Sequence, residues 1–121
     1  MTNAEIAKNF LELAANGNVD EAYEKYVSPD FQHHNAYFPG DRESLKNGMK
    51  DSYKNNPNKK LTIHQILVDG DKVAVHSHLS QSPDLEIAVV HIVRIQQNKI
   101  VEMWDVGQVI PANSPNQNSP F

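Results

Sequence analysis

The segment VVHIVRIQQNKIVEMWDVGQ, residues 89–108, has the pattern of a β-hairpin and carries ionisable side chains within it. Two apolar stretches flank Gln97-Asn98, and a short polar pair of this kind favours a tight turn between antiparallel strands. His91 and Asp105 nevertheless lie inside the apolar stretches. Because an unpaired charge is costly to bury, such groups need hydrogen bonds, a charged partner or a functional reason to be there. This hairpin therefore decides both the fold and the candidate site.

The register of the hairpin determines whether its two ionisable groups can meet. Strict pairing across a two-residue turn sets His91 opposite Trp104 and leaves Asp105 on the other face of the sheet. One extra residue in a β-bulge would shift the register and place His91 and Asp105 on the same face, and bulges are frequent beside active sites. We therefore predict a bulge between Ile92 and Trp104.

A second hairpin is predicted upstream. The stretches LTIHQILV and KVAVHSHLS flank Asp69-Gly70-Asp71, a strong turn signal. Alternation places His76 and His78 on one face of the second strand and Val75 on the other. The chain therefore has at least four antiparallel strands in its second half.

The first half of the chain has helical rather than strand periodicity. Apolar residues spaced by three or four predict a helix that ends near Gly17 and a second over about residues 19–26. Asp41 is a good N-cap for a third helix, which a polar connector follows at 54–60. Residues 30–41 should be irregular or briefly extended. Helices followed by strands indicate an α+β fold, a cone-shaped, curved mixed or antiparallel β-sheet packed with three N-terminal helices.

Length and composition limit the class of protein. The 121 residues fit one domain, which we place at 1–111, followed by an Asn-, Ser- and Pro-rich C-terminal arm at 112–121. We expect Phe121 to anchor this arm on a partner subunit or on the pocket mouth. The net charge of −4 argues against a nucleic-acid partner, and no apolar run resembles a signal peptide or a membrane span. We expect a cytoplasmic protein that binds neither nucleic acid nor membranes.

Several motifs resemble those of one known family. The stretches FQHHNAYFPGDRESLKNGM, VDGDKVAVHSHLS, AVVHIVRIQQNKIVEMWDVGQ and PANSPNQNSPF are similar to the SnoaL-like polyketide cyclases of the nuclear-transport-factor-like superfamily, especially its small bacterial members. The resemblance implies a cystatin-like α+β barrel and a homodimer formed through the sheet. It also implies ring closure by intramolecular aldol condensation, without metal or cofactor.

The same resemblance implies roles for particular residues. By motif position, Asp105 would be the catalytic acid/base and His91 its catalytic assistant, and His34 and Asn35 would line the mouth of the pocket. We add His76 and Trp104 to His34 and Asn35 as candidate substrate-binding residues.

Three functions remain open at this point. The first is a cofactor-independent acid/base enzyme of the cyclase, isomerase or dehydratase type, acting on a small hydrophobic carbonyl compound. The second is a small-molecule binding protein in which His91 and Asp105 form a static hydrogen-bonded pair. The third is a mononuclear metal site, for which His34, His76, His91 and Asp105 offer imidazole and carboxylate ligands. We disfavour it because these residues follow no recognised metal-binding spacing.

Overall fold

The computed structural model describes all 121 residues and contains three helices and five strands. In chain order these are α1 (Asn3–Ala15), α2 (Val19–Tyr26), β1 (Val27–His33), α3 (Arg42–Asn55), β2 (Lys60–Asp69), β3 (Lys72–Ser82), β4 (Leu85–Gln96) and β5 (Lys99–Val109). No helix is long and apolar enough to cross a membrane.

The strands form one open, mixed sheet in the order β1-β5-β4-β3-β2. β1 runs parallel to β5, and all other neighbours are antiparallel. The apolar residues of the three helices and of one sheet face join in a single core cluster of 17 buried residues. We call the helix-covered side the inner face and the opposite side the outer face. The predicted α+β architecture is confirmed.

Strand β1 is longer than the sequence indicated. We expected irregular or briefly extended chain over 30–41, whereas β1 begins at Val27, directly after α2. Pro29 lies within this strand. β1 is at the edge of the sheet, where a residue without a backbone N–H can be accommodated.

The hairpin of β4 and β5 contains the extra residue that the sequence predicted. Gln97 and Asn98 both have positive φ, 51° and 64°, as a tight two-residue hairpin turn requires. Arg94 pairs with Glu102 while Ile95 pairs with Ile100, so that Val101 has no partner across the ladder. The bulge thus falls within the predicted interval, and Ile92 and Trp104 themselves are paired.

As a result, His91 pairs directly with Asp105. Paired residues of an antiparallel ladder project to the same face. Val93 and Met103, which share this face, are 0% and 1% exposed in the core. The bulge therefore brings both ionisable groups to the inner face.

The C-terminal arm lies against the outer face of the chain's own sheet. The ring of Phe121 stacks on His64 and His78, with centroids 4.5 Å and 4.9 Å apart, and lies 5.4 Å from the ring of His76. The hydrogen bonds of residues 112–121 are local to the arm. Phe121 thus packs on the outer face and does not reach the pocket mouth, which was one of its two expected anchor points.

We expect Phe121→Leu to shift the ring-proton NMR resonances of His64, His76 and His78, because leucine has no aromatic ring current. His33 is the internal control, since its ring is buried against Phe31 at 6.0 Å and lies away from the arm. Unchanged spectra for all three outer-face histidines would contradict the described position of the arm.

Candidate functional site

A cavity of about 220 Å³ lies between the helices and the inner face of the sheet. That is the volume of roughly seven water molecules, at ~30 Å³ each. Most of its wall is apolar and comes from α1, α3, β2 and β3. The polar side chains that line it are Asn35, Ser52, Lys59, Gln81, His91 and Asp105.

Asp105 is held by one partner and has one oxygen free. Asn35 donates from Nδ2 to Oδ2 of Asp105 at 2.9 Å. The backbone N–H of Tyr37 donates to Oδ1 of Asn35 at 2.9 Å, which fixes the amide with its NH₂ group towards the carboxylate. Oδ1 of Asp105 accepts no hydrogen bond and so remains available to a ligand.

His91 presents one ring nitrogen to the cavity. Its Nδ1 is sealed from solvent without a hydrogen-bond partner, whereas Nε2 is not sealed. Burial lowers the pKa of the imidazole below its ordinary value of 6.5, and the nearby Asp105 carboxylate only partly opposes that shift. His91 is therefore a neutral imidazole at pH 7. In the tautomer with its proton on Nε2, the ring can donate this proton to a ligand in the cavity.

No hydrogen bond joins His91 directly to Asp105, although the two residues are paired across the ladder. Asp105 has its hydrogen bond with Asn35, and His91 has none. The site thus contains a carboxylate acceptor and a neutral imidazole donor side by side, each with an unused polar atom. This pair can remove a proton from a bound molecule and stabilise the negative charge that develops on it.

Only three of the predicted site residues reach the cavity: Asp105, His91 and Asn35. His34 and Trp104 do not line it, contrary to the expectation that they would contact substrate there. Their rings stack with a centroid distance of 4.9 Å and an interplanar angle of 6°. Trp104 projects to the outer face because it lies next to Asp105 on the same strand.

His34 is held on the outer face by a charged network. Its Nε2 lies 2.7 Å from Oε2 of Glu102, whose other oxygen accepts from Arg94 Nε at 3.1 Å. The contacts with His34 and Arg94 lower the pKa of the Glu102 carboxyl. Asn35 directly follows His34 in the chain. The contact of His34 with Glu102 therefore ties the loop that carries Asn35 to β5.

His76 also lies outside the cavity. It projects to the outer face of β3, where its Nδ1 lies 2.9 Å from Nε2 of Gln65 and its ring lies beside Phe121. His76, His34, His91 and Asp105 therefore do not converge. No group of three or more histidine, aspartate or glutamate side chains in the structure could hold a metal ion.

Sequence reasoning missed several residues of the cavity wall. Lys59 was assigned to a polar connector, and Ser52 and Gln81 had no assigned role, yet all three line the cavity. Phe38 also reaches the wall from the loop before α3, packing where a Cβ on Gly48 would otherwise lie. The glycine inside α3 was the available signal, because an interior helical glycine often marks a close contact.

Comparison with known proteins identifies a family and a shared fold. A family model described as a SnoaL-like domain matches residues 7–103, so the match ends just before Asp105. No curated protein matches the chain.

Solved structures with the same fold come from several bacteria. An NTF2-like protein from Cytophaga hutchinsonii is similar with a TM-score of 0.75 and 14% identity, over 89% of this chain and 91% of that one. A cystatin-fold protein from Novosphingobium aromaticivorans has a TM-score of 0.76 and 19% identity, over 88% and 98%. A SnoaL-like polyketide cyclase from Agrobacterium tumefaciens has a TM-score of 0.73 and 14% identity, over 89% and 92%. With most of its length matched by the family model, the chain belongs to the SnoaL-like domain family.

Proposed function

We propose that the protein is a cofactor-independent acid/base enzyme that removes a proton alpha to the carbonyl of a small molecule bound in the cavity. The observation that carries this proposal is the side-by-side position of Asp105 and His91 on the cavity wall, each with a free polar atom. The fold shared with a polyketide cyclase supports a reaction of the aldol or isomerase type.

In the proposed step, Oδ1 of Asp105 accepts the alpha proton while the C–H electron pair moves into the carbonyl, forming an enolate. The Nε2–H of His91 donates a hydrogen bond to the enolate oxygen. A neutral imidazole suits this role, since burial keeps the pKa of His91 low. The enolate carbon then attacks a second carbonyl of the same molecule, and the alkoxide that forms takes the proton from Asp105. Alternatively, the enolate takes this proton back at another carbon.

Asn35 acts as a positioning residue in this proposal. Its amide donates to Oδ2 of Asp105, and the Tyr37 backbone fixes the amide in that orientation. The basic oxygen is therefore directed by a hydrogen bond at the other end of the carboxylate. The alternative of a binding protein without chemistry relied on a static pair between His91 and Asp105. The hydrogen bond which that pair requires is absent, and this favours the enzyme.

We expect the wild-type protein to catalyse solvent-deuterium exchange at the alpha carbon of a small enolisable ketone. Asp105→Asn should lower the rate about a hundredfold or more, within the range that a general base contributes. Proton NMR of the ketone in deuterated buffer measures the rate. Asp69→Asn, which removes an exposed carboxylate at the far edge of the sheet, is the matched control. If the wild type exchanges nothing across a panel of ketones that raise its melting temperature, the binding-protein alternative replaces this proposal.

The low pKa of His91 also makes stability depend on pH. In the unfolded chain this histidine takes up a proton near pH 6.5, whereas in the folded chain it does so only at lower pH. The unfolding free energy should therefore fall as the pH drops below about 6.5, with a slope of up to about 1.4 kcal/mol per pH unit from this group. His91→Gln should lose that part of the slope, as urea unfolding at pH 5 to 7.5 would show. Parallel pH profiles for the two proteins would contradict the assignment.

We also propose a homodimer formed through the outer face of β4 and β5. Val106 is 66% exposed there, and its cross-strand partner Val90 and the nearby Trp104 are only half-buried. A contiguous apolar patch of this kind marks a protein interface more often than a free surface. Light scattering should give the mass of two chains at micromolar concentration, and Val106→Lys should halve it. A wild-type mass of one chain would refute the dimer.

A further inference from the structure

A second polar group lies in the cavity, away from Asp105 and His91. It consists of Ser52 of α3, Lys59 at the end of the connector and Gln81 near the end of β3. Nζ of Lys59 and Nε2 of Gln81 each donate to Oγ of Ser52 at 2.8 Å. The three side chains thus form one hydrogen-bonded cluster, which we call the Lys59 cluster.

The Lys59 cluster has more hydrogen-bond donors than acceptors. Both lone pairs of the Ser52 oxygen are used by Lys59 and Gln81, so its own hydrogen is left to donate elsewhere. The ammonium of Lys59 has three N–H donors, of which one is used. No aspartate or glutamate forms an ion pair with Lys59. A ligand that brings acceptors and negative charge would complete the cluster.

Burial of Lys59 is not offset within the chain. The residue is half-buried, and this desolvation lowers the pKa of its ammonium from the ordinary value of 10.5. A cation that is partly removed from water without a charged partner is destabilising. An anion bound against it would reverse that effect and raise the pKa again.

The two polar groups of the cavity are at opposite ends of it. His91 pairs with Val75, whereas Gln81 lies six residues further along β3. Six residues of a strand span about 20 Å between the two backbone positions, and after the inward reach of the side chains and one hydrogen bond at each end roughly 6–8 Å is left for a ligand. The wall between them is apolar and includes Met49, Leu61 and Leu79.

We propose that the Lys59 cluster is the binding subsite for the carboxylate of a small keto acid whose carbonyl is placed at Asp105 and His91. The position of the carbonyl rests on the function proposed above, whereas the carboxylate subsite rests on the cluster alone. Lys59 and Ser52 donate hydrogen bonds to the carboxylate, and the apolar wall packs against the linking methylene groups. The negative charge of Asp105 repels a carboxylate at the other end, which enforces this orientation.

The size of the cavity sets the size of this substrate class. At about 220 Å³ the cavity is below the range of roughly 300–1,000 Å³ typical of sites for drug-sized ligands. A short, open-chain keto acid fits, whereas a fused multi-ring polyketide does not. The substrate class is thus a small oxo-carboxylate.

The test compares levulinate with its neutral primary amide, levulinamide. The same comparison is made for the keto acid that has one more methylene group and for its amide. Titration calorimetry measures both affinities for wild type, Lys59→Met and Lys54→Met. Lys54 is an exposed lysine in the last turn of α3 and does not line the cavity, so Lys54→Met removes the same charge nearby. Wild type should prefer the carboxylate about tenfold, as one charge-assisted hydrogen bond allows. Lys59→Met should lose that preference, and Lys54→Met should keep it.

The pH dependence of ligand affinity in the wild type provides a second measurement. It tests the subsite even if Lys59→Met does not fold. Because an anion raises the pKa of Lys59, the affinity for levulinate should fall as the pH rises through the pKa of the free ammonium, while that for levulinamide stays constant. Equal affinities for acid and amide in the wild type, including no measurable binding of either, would overturn the subsite.

The two proposals can fail separately. Binding of levulinate that depends on Lys59, without deuterium exchange at its alpha carbons, would support the subsite and contradict the enzyme. Exchange into neutral ketones, with no preference for the acid, would support the enzyme and overturn the subsite.

Discussion

The unpaired residue Val101 determines which side of the sheet every later residue of β5 faces. If Val101 were paired across the hairpin, Trp104 would lie opposite His91, and Asp105 would project to the outer face. Because the side-chain period of a strand is two residues, a single extra residue moves every later side chain of the strand to the opposite face of the sheet. The buried position of Met103, the stacking of Trp104 on His34 and the meeting of His91 with Asp105 all depend on this one irregularity.

The cavity also contains charged and polar groups whose hydrogen-bond or ion-pair partners are not supplied by the chain. On the outer face, Glu102 is matched by Arg94 and His34. Inside the cavity, Lys59 has no counter-ion, and the Asp105 carboxylate has one amide donor. In an apolar enclosure each of these groups interacts with a ligand more strongly than it would in water. The incomplete polar groups therefore indicate where a bound molecule supplies the missing partners.

The sequence predicted the parts of the fold that depend on local pattern. Periodicity located α1, α2 and α3, and alternation grouped His91 with the apolar residues that face the core. His76 was expected to bind substrate, whereas it lies on the outer face beside Phe121. The alternation of side chains across the hairpin also predicted the bulge, because regular pairing would put His91 and Asp105 on opposite faces of the sheet. Strand β1 was underestimated, since its pairing with β5 joins residues that are far apart in the chain.

The site was predictable only where residues follow one another on a regular element. Asp105 and His91 stood out as ionisable residues within apolar strands, and the family resemblance implied their catalytic roles. Lys59 was missed, because a connector carries no periodicity that could show its side chain turning into the cavity. His34 and Trp104 were expected at the substrate. The loop after β1 directs Asn35 inward but leaves His34 on the outer face, and no sequence pattern shows where a loop changes sides.

The packing of Phe38 against Gly48 separates the size of the cavity from its chemistry. Both residues lie on the helical side of the cavity, and neither takes part in the hydrogen bonds of Asp105 or of Lys59. Any side chain at position 48 would displace the Phe38 ring, and a smaller residue at position 38 would enlarge the chamber. Substrate range can therefore evolve, or be engineered, through this one pair of positions while the reacting groups remain unchanged.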